Sequence, residues 1–146
     1  MKRINDGRLY FYFAIITTVL AAIMGAIAYY SILLVEPEIR GHIDAKEDVG
    51  ARYRSAYVML RDPQIFARYE NFDAAGMPAK TILRDFDKRM YKNEPFTADD
   101  RIYLEFLLER RMQGSRLTRG TMVFFALLSI LGWGAFFHER RKASAL

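Results

Sequence analysis

The chain contains no cysteine. That absence excludes disulfides, thiolate catalysis and every zinc or iron–sulfur site built on Cys. Histidine is almost as scarce. His42 and His138 are the only two, and both lie outside the two long apolar runs of the sequence. A haem between membrane helices takes its axial ligands from within such runs, most often from His. Met24 and Met122 in those runs read as packing residues, so no cofactor is expected. There is no Gly-rich phosphate loop, no Gly-x-Ser-x-Gly turn and no internal repeat. Sustained period-2 alternation is missing too, so no sheet is predicted.

Charge is also missing, in two places. Leu9 to Val35 carries none over 27 residues, and Gly120 to Phe137 none over 18. As helices these would measure roughly 40 Å and 27 Å at 1.5 Å per residue, against a hydrocarbon core of roughly 30 Å. Neither run shows the polar stripe of a soluble amphipathic helix. The hydroxyls of Thr17, Thr18, Ser31, Thr121 and Ser129 can bond back to their own helix. Aromatic residues cluster near the run ends: Tyr10, Tyr12, Tyr29 and Tyr30 in the first, Trp133, Phe136 and Phe137 in the second. This is the pattern of interfacial belts. Ser31 to Val35 are placed near the far interface. Met1 to Arg8 and Ala26-Ile27-Ala28 resemble the basic region and cleavage site of a signal peptide. The apolar core is longer than such a peptide needs and continues seven residues past that site, so an uncleaved anchor is expected.

The hydrophobic content is 52%, yet the mean hydropathy is only -0.05, because the remainder is strongly polar. The net charge is +5. Sixteen of the 22 Lys and Arg lie between 36 and 119, beside fifteen of the 17 acids. The excess positive charge therefore sits on the tails, which points to lipid headgroups rather than nucleic acid. Lys2, Arg3 and Arg8 precede the first run and Glu36 and Glu38 follow it, favouring a cytoplasmic N-terminus. Two crossings return the C-terminus to the same side.

The expected protein is an all-α integral membrane protein of the inner membrane. Its parts are a cytoplasmic tail (1–8), a first transmembrane helix (9–35), a helical exoplasmic domain (36–119), a second transmembrane helix (120–137) and a basic cytoplasmic tail (138–146). Within the domain, Glu36 to Arg61 is predicted to continue the first helix, bent at Pro37 and kinked or ended at Gly50. Its core positions are Ile39, Ile43, Tyr53, Tyr57 and Leu60. Asp62-Pro63 should start a short helix to Asn71, with a loop from Asn71 to Pro78. Pro78 should open a helix burying Ala79, Ile82, Leu83, Phe86 and Met90, stopped by Asn93-Glu94-Pro95. Thr97 and Asp100 suggest a capping box. They would start a helix that buries Ile102, Tyr103, Phe106, Leu107 and Leu108 and exposes Arg101, Glu105, Glu109 and Gln113. No strong breaker separates it from the second run, so one long helix is predicted.

Candidate sites are few. Glu38, His42 and Asp44, near Glu47 and Asp48, could in principle gather a metal, but the Glu-x-x-His spacing of carboxylate-bridged sites is absent. A solvated role is expected. Asp99 and Asp100 suit a helix N-terminus. Arg110, Arg111, Arg116 and Arg119, with Arg3, Arg8, Arg140, Arg141 and Lys142, are assigned to lipid headgroups. Small residues mark close-packing faces: Ala21, Gly25 and Ala28 on the first run, Ser129, Gly132 and Ala135 on the second. Ala22 and Ala26 form a further small pair. The two named faces could pack on each other or on another membrane protein. With no catalytic constellation, the leading expectation is a non-catalytic accessory or scaffold subunit of a membrane complex. It would bind other integral membrane proteins or further copies of itself. A membrane-anchored sensor with a ligand-binding helical bundle is the alternative.

Overall fold

The computed structural model describes residues 6–61 and 73–145, with the backbone alone for 73–77. The helix expected at Pro63 to Asn71, with its Asp62 cap, lies outside the described residues. Among those residues the chain is all-helical, with no strand. Five helices follow in order: α1 (Asp6–Tyr30), α2 (Glu36–Ile43), α3 (Val49–Arg61), α4 (Asp73–Tyr91) and α5 (Arg101–Ser144).

Pro37 does not break the chain between α1 and α2. Proline lacks an N–H and its ring crowds the carbonyl four residues back. The helix meets this by widening into a π turn over Ser31–Val35, where the Glu36 N–H donates to the Ser31 carbonyl five residues away. Helical backbone therefore runs from Asp6 to Ile43. The break predicted at Gly50 comes earlier, at Asp44 to Asp48. There Asp48 takes a left-handed conformation (φ 49°), which Asp tolerates better than most residues. Gly50 sits within α3 instead, where an added Cβ would lie 3.4 Å from the Phe96 carbonyl.

The start of α4 is a second correction. The helix begins at Asp73, so the expected Asn71–Pro78 loop is partly helical and Pro78 lies inside. Pro78 is the sixth residue of the helix, so its missing N–H forgoes one intrahelical bond, to the carbonyl four residues back. At the other end α4 stops at Tyr91, as expected, and Asn93 follows with φ 55°.

The chain forms two compact units. The unit Tyr29–Leu117 is centred on Ile39, Ile43, Tyr53, Tyr57, Leu60, Leu83, Phe86 and Phe96, with Leu104, Leu107 and Leu108 of α5. Ile82 and Met90 are half-buried against it. The Phe86 ring meets Tyr57 edge-on at 5.2 Å and Phe96 at 5.1 Å. Tyr57 also donates to the Asp87 carboxylate, which Arg61 holds from the other side at 2.9 Å. Burial first, then Asp87, pushes the Tyr57 phenol above its ordinary range.

The inner face of α5 differs from expectation. Leu104 is fully buried, whereas Ile102 is 68% exposed and Tyr103 47% exposed. The buried stripe runs Leu104, Leu107, Leu108, Arg111, Ser115, turning polar within two turns. A search for apolar residues alone misses that change. Arg101, Glu105, Glu109 and Gln113 are exposed as predicted, and α5 continues through Gly114 and Gly120 to Ser144 without a break.

The unit Met1–Ala28 with Thr118–Leu146 pairs α1 with the second half of α5. Ring contacts of Phe11 with Trp133 (6.0 Å) and Phe136 (5.4 Å) fix the two segments as antiparallel neighbours, because Gly25 meets Met122 at the other end.

Candidate functional site

The small residues singled out in the sequence line the seam of the α1–α5 pair. Gly25 and Ala28 are buried on α1, and Ser129 and Gly132 on α5; Ala21 and Ala135 are half-buried. An added Cβ at Gly132 would stand 2.9 Å from the Phe13 ring and 3.1 Å from the Ala14 Cα. One at Gly25 would stand 2.9 Å from the Met122 sulfur. The helices approach this closely because glycine is there. The seam also carries polar bonds. Thr18 and Ser129 hydroxyls are 2.5 Å apart, and the Trp133 indole donates to the Thr18 hydroxyl at 3.2 Å. Ala22 and Ala26 face outward.

This geometry makes Gly132→Ala a sharp probe. Its methyl must push against backbone, so the variant should destabilise the hairpin by about 1–3 kcal/mol. Gly134→Ala, with nothing within 4 Å, should be neutral or slightly stabilising. Trp133 fluorescence followed through detergent-mediated unfolding reads both. Equal midpoints for the two variants would contradict the seam.

The second constellation was not foreseen in the sequence. Asp100, 5% exposed, receives both arms of the Arg89 guanidinium at 2.6 and 2.9 Å and the Thr97 backbone N–H at 2.8 Å. This is the expected capping box, extended to a buried ion pair. Arg89 lies over the Phe86 and Phe96 rings at 4.8 and 5.1 Å and also faces Asp85 at 3.3 Å. Burial pushes the Asp100 carboxyl up, but Arg89 and the Thr97 N–H outweigh it and hold it below the usual carboxylate range. The sign follows: a carboxyl with a depressed folded-state pKa stabilises the fold at pH above its unfolded value of about 3.9. That stability disappears as the pH falls through the lower, folded value. The domain should thus lose stability on acidification below about pH 4, and Asp100→Asn should flatten that part of the curve. Parallel acid titrations of the two proteins, followed by circular dichroism, would reveal any failure.

The acidic residues near His42 do not converge. Asp44 pairs with Arg101 at 2.7 Å, and His42 faces Arg52 at 3.4 Å. Among the described residues no three metal-binding side chains gather.

Among the cations, Arg111 departs from the headgroup assignment. It is 6% exposed and donates to the Met59 carbonyl at 3.3 Å. Its position seven residues after Leu104 puts it on the inner stripe. Arg116 and Arg119 are exposed, as are Arg140, Arg141 and Lys142. Arg8 is also exposed; Arg3 lies outside the described residues. Ser31, Ser115 and Glu36 form a small buried polar group by the π turn, with the two hydroxyls 3.0 Å apart.

Comparison with protein-family models, curated proteins and solved structures finds no match to this chain. The functional reading therefore rests on the arrangement of its own residues.

Proposed function

We propose that this chain is an integral membrane protein whose two apolar helices span the bilayer. We further propose that it serves as a non-catalytic accessory or scaffold subunit of a membrane complex. One observation carries the first part. Both helices are long and apolar enough to cross a membrane, yet only 22% and 11% of their most apolar windows are buried. A core helix of a soluble protein would have most of that surface covered. Here Ile16, Val19 and Ile23 on α1 and Leu127, Ile130 and Leu131 on α5 face outward, and hydrocarbon is the solvent that suits them.

On this reading residues 36–119 form an extramembrane domain, expected on the exoplasmic side, and both tails are cytoplasmic. The Cys-free sequence makes this testable with single cysteines. A membrane-impermeant maleimide should label Lys92→Cys but not Ala143→Cys in intact cells; the reverse pattern would invert the topology.

The accessory role is supported by the way the side chains are used. The domain interior is filled by Tyr57, Phe86 and Phe96, and its ion pair joins α4 to the start of α5. The small-residue seam is occupied within the chain, so partner contacts are assigned to the outward faces of α1 and α5 and to the domain. Mild-detergent purification after crosslinking should recover the protein with a membrane partner or as an oligomer. A monodisperse monomer with no crosslinked partner would count against this role.

A further inference from the structure

The end of the α1–α5 pair that holds both tails carries cations and aromatic rings at one level. Phe11, Trp133, Phe136 and Phe137 form a continuous ring cluster, with Trp133 and Phe137 stacked at 6.0 Å. One turn beyond it come Arg8 on α1 and Arg140 and Arg141 on α5. Lys142 is taken up by Glu139 at 3.3 Å. Among the described residues no carboxylate lies within ion-pair distance of Arg140 or Arg141. These two line a shallow, open groove along one face of the end of α5, with Phe137, Ser144 and Ala145.

We infer that this groove binds the phosphate of an anionic phospholipid, with Arg140 and Arg141 on the headgroup and Phe137 against the start of an acyl chain. The inference rests on the membrane reading above and adds a ligand class to it. Guanidinium is the side chain best matched to phosphate oxygens, through paired N–H donors. Arginines with no carboxylate partner among the described residues, beside an aromatic ring, offer a charged and an apolar surface a few ångströms apart, which is the layout of a lipid at the headgroup–acyl boundary. Charge complementarity selects an anionic lipid over a zwitterionic one, since each basic residue at the surface adds attraction to an anionic leaflet. Arg116, by contrast, is 3.9 Å from Glu109, so its charge is partly answered.

Trp133, the single tryptophan, lies one turn from the groove and reports on it. The full-length protein would be reconstituted in mixed phosphatidylcholine–phosphatidylglycerol bilayers of fixed composition. Bromine would be carried on the acyl chains of one lipid or the other. Quenching of Trp133 should show phosphatidylglycerol enriched about fivefold or more over its bulk share, the ratio expected of one or two surface cations. Arg140→Gln with Arg141→Gln should bring the ratio to near one. Arg116→Gln with Arg119→Gln should leave it unchanged. Equal quenching by both lipids in the unaltered protein, or enrichment that survives the Arg140/Arg141 change, would overturn the site while leaving the membrane reading intact. Absence of quenching by either lipid would overturn both. Adding inorganic phosphate tests the other source of the same chemistry: the enrichment should persist at unchanged ionic strength, and its loss would show that free phosphate outcompetes the lipid for these arginines, overturning lipid as the occupant.

Discussion

Replacing Arg89 with Met should destabilise the helical domain by about 3–5 kcal/mol. Methionine keeps an apolar stem against Phe86 and Phe96 but removes the guanidinium that answers Asp100. The Asp100 side chain is 8% exposed and would lose two bonds of 2.6 and 2.9 Å. A buried charge stripped of its partner is far more damaging than the pair is stabilising. The Thr97 N–H alone cannot offset that desolvation. In detergent the thermal midpoint should fall by more than about 10 °C. Amide exchange should accelerate in α4 and at the start of α5. Adding Asp100→Asn to Arg89→Met should recover part of the loss, because the unanswered charge is then gone. A double variant no more stable than the single would contradict the ion-pair explanation.

Phe86→Ala is the second large effect, at about 3–5 kcal/mol. The ring is 1% exposed and touches Tyr57, Phe96 and Tyr103, and Arg89 lies over it. Its removal opens a cavity at the point where α3, α4 and α5 meet and deprives the guanidinium of a face to stack on. The effects of Phe86→Ala and Arg89→Met should therefore fall short of additive, since the two residues share contacts. Chemical denaturation of the single and double variants gives that coupling directly. Full additivity would show that ring and guanidinium act independently.

Apolar spacing alone decided the buried faces of α2, α3 and α4, whereas at the start of α5 it misplaced Ile102 and Tyr103, which are exposed. Ile39, Ile43, Tyr53, Tyr57, Leu60, Leu83 and Phe86 could be read from 3.6-residue periodicity, and all are buried. Sequence spacing failed where a polar residue had to turn inward. Arg111 and Asp100 look like ordinary surface charges, and only tertiary packing reveals their partners; Arg89 sits eleven residues before Asp100, across a break in the helix. Proline and glycine misled for a related reason. Pro37 was absorbed by a wider turn, Pro78 lies inside α4 past its first turn, and Gly50 sits in the first turn of α3. Each is a context that local punctuation rules do not contain. The small residues at Gly25, Ala28, Ser129 and Gly132 were legible as a packing face, but spacing alone did not say what they would pack against; in this chain each face meets the other.

Membrane fractionation followed by an alkaline carbonate wash tests the bilayer claim most directly. The account predicts that the full-length protein stays with the pelleted membranes through the wash and enters solution only with detergent, because Ile16, Ile23, Leu127 and Ile130 need an apolar solvent. Recovery of the folded chain in the wash supernatant without detergent would contradict it.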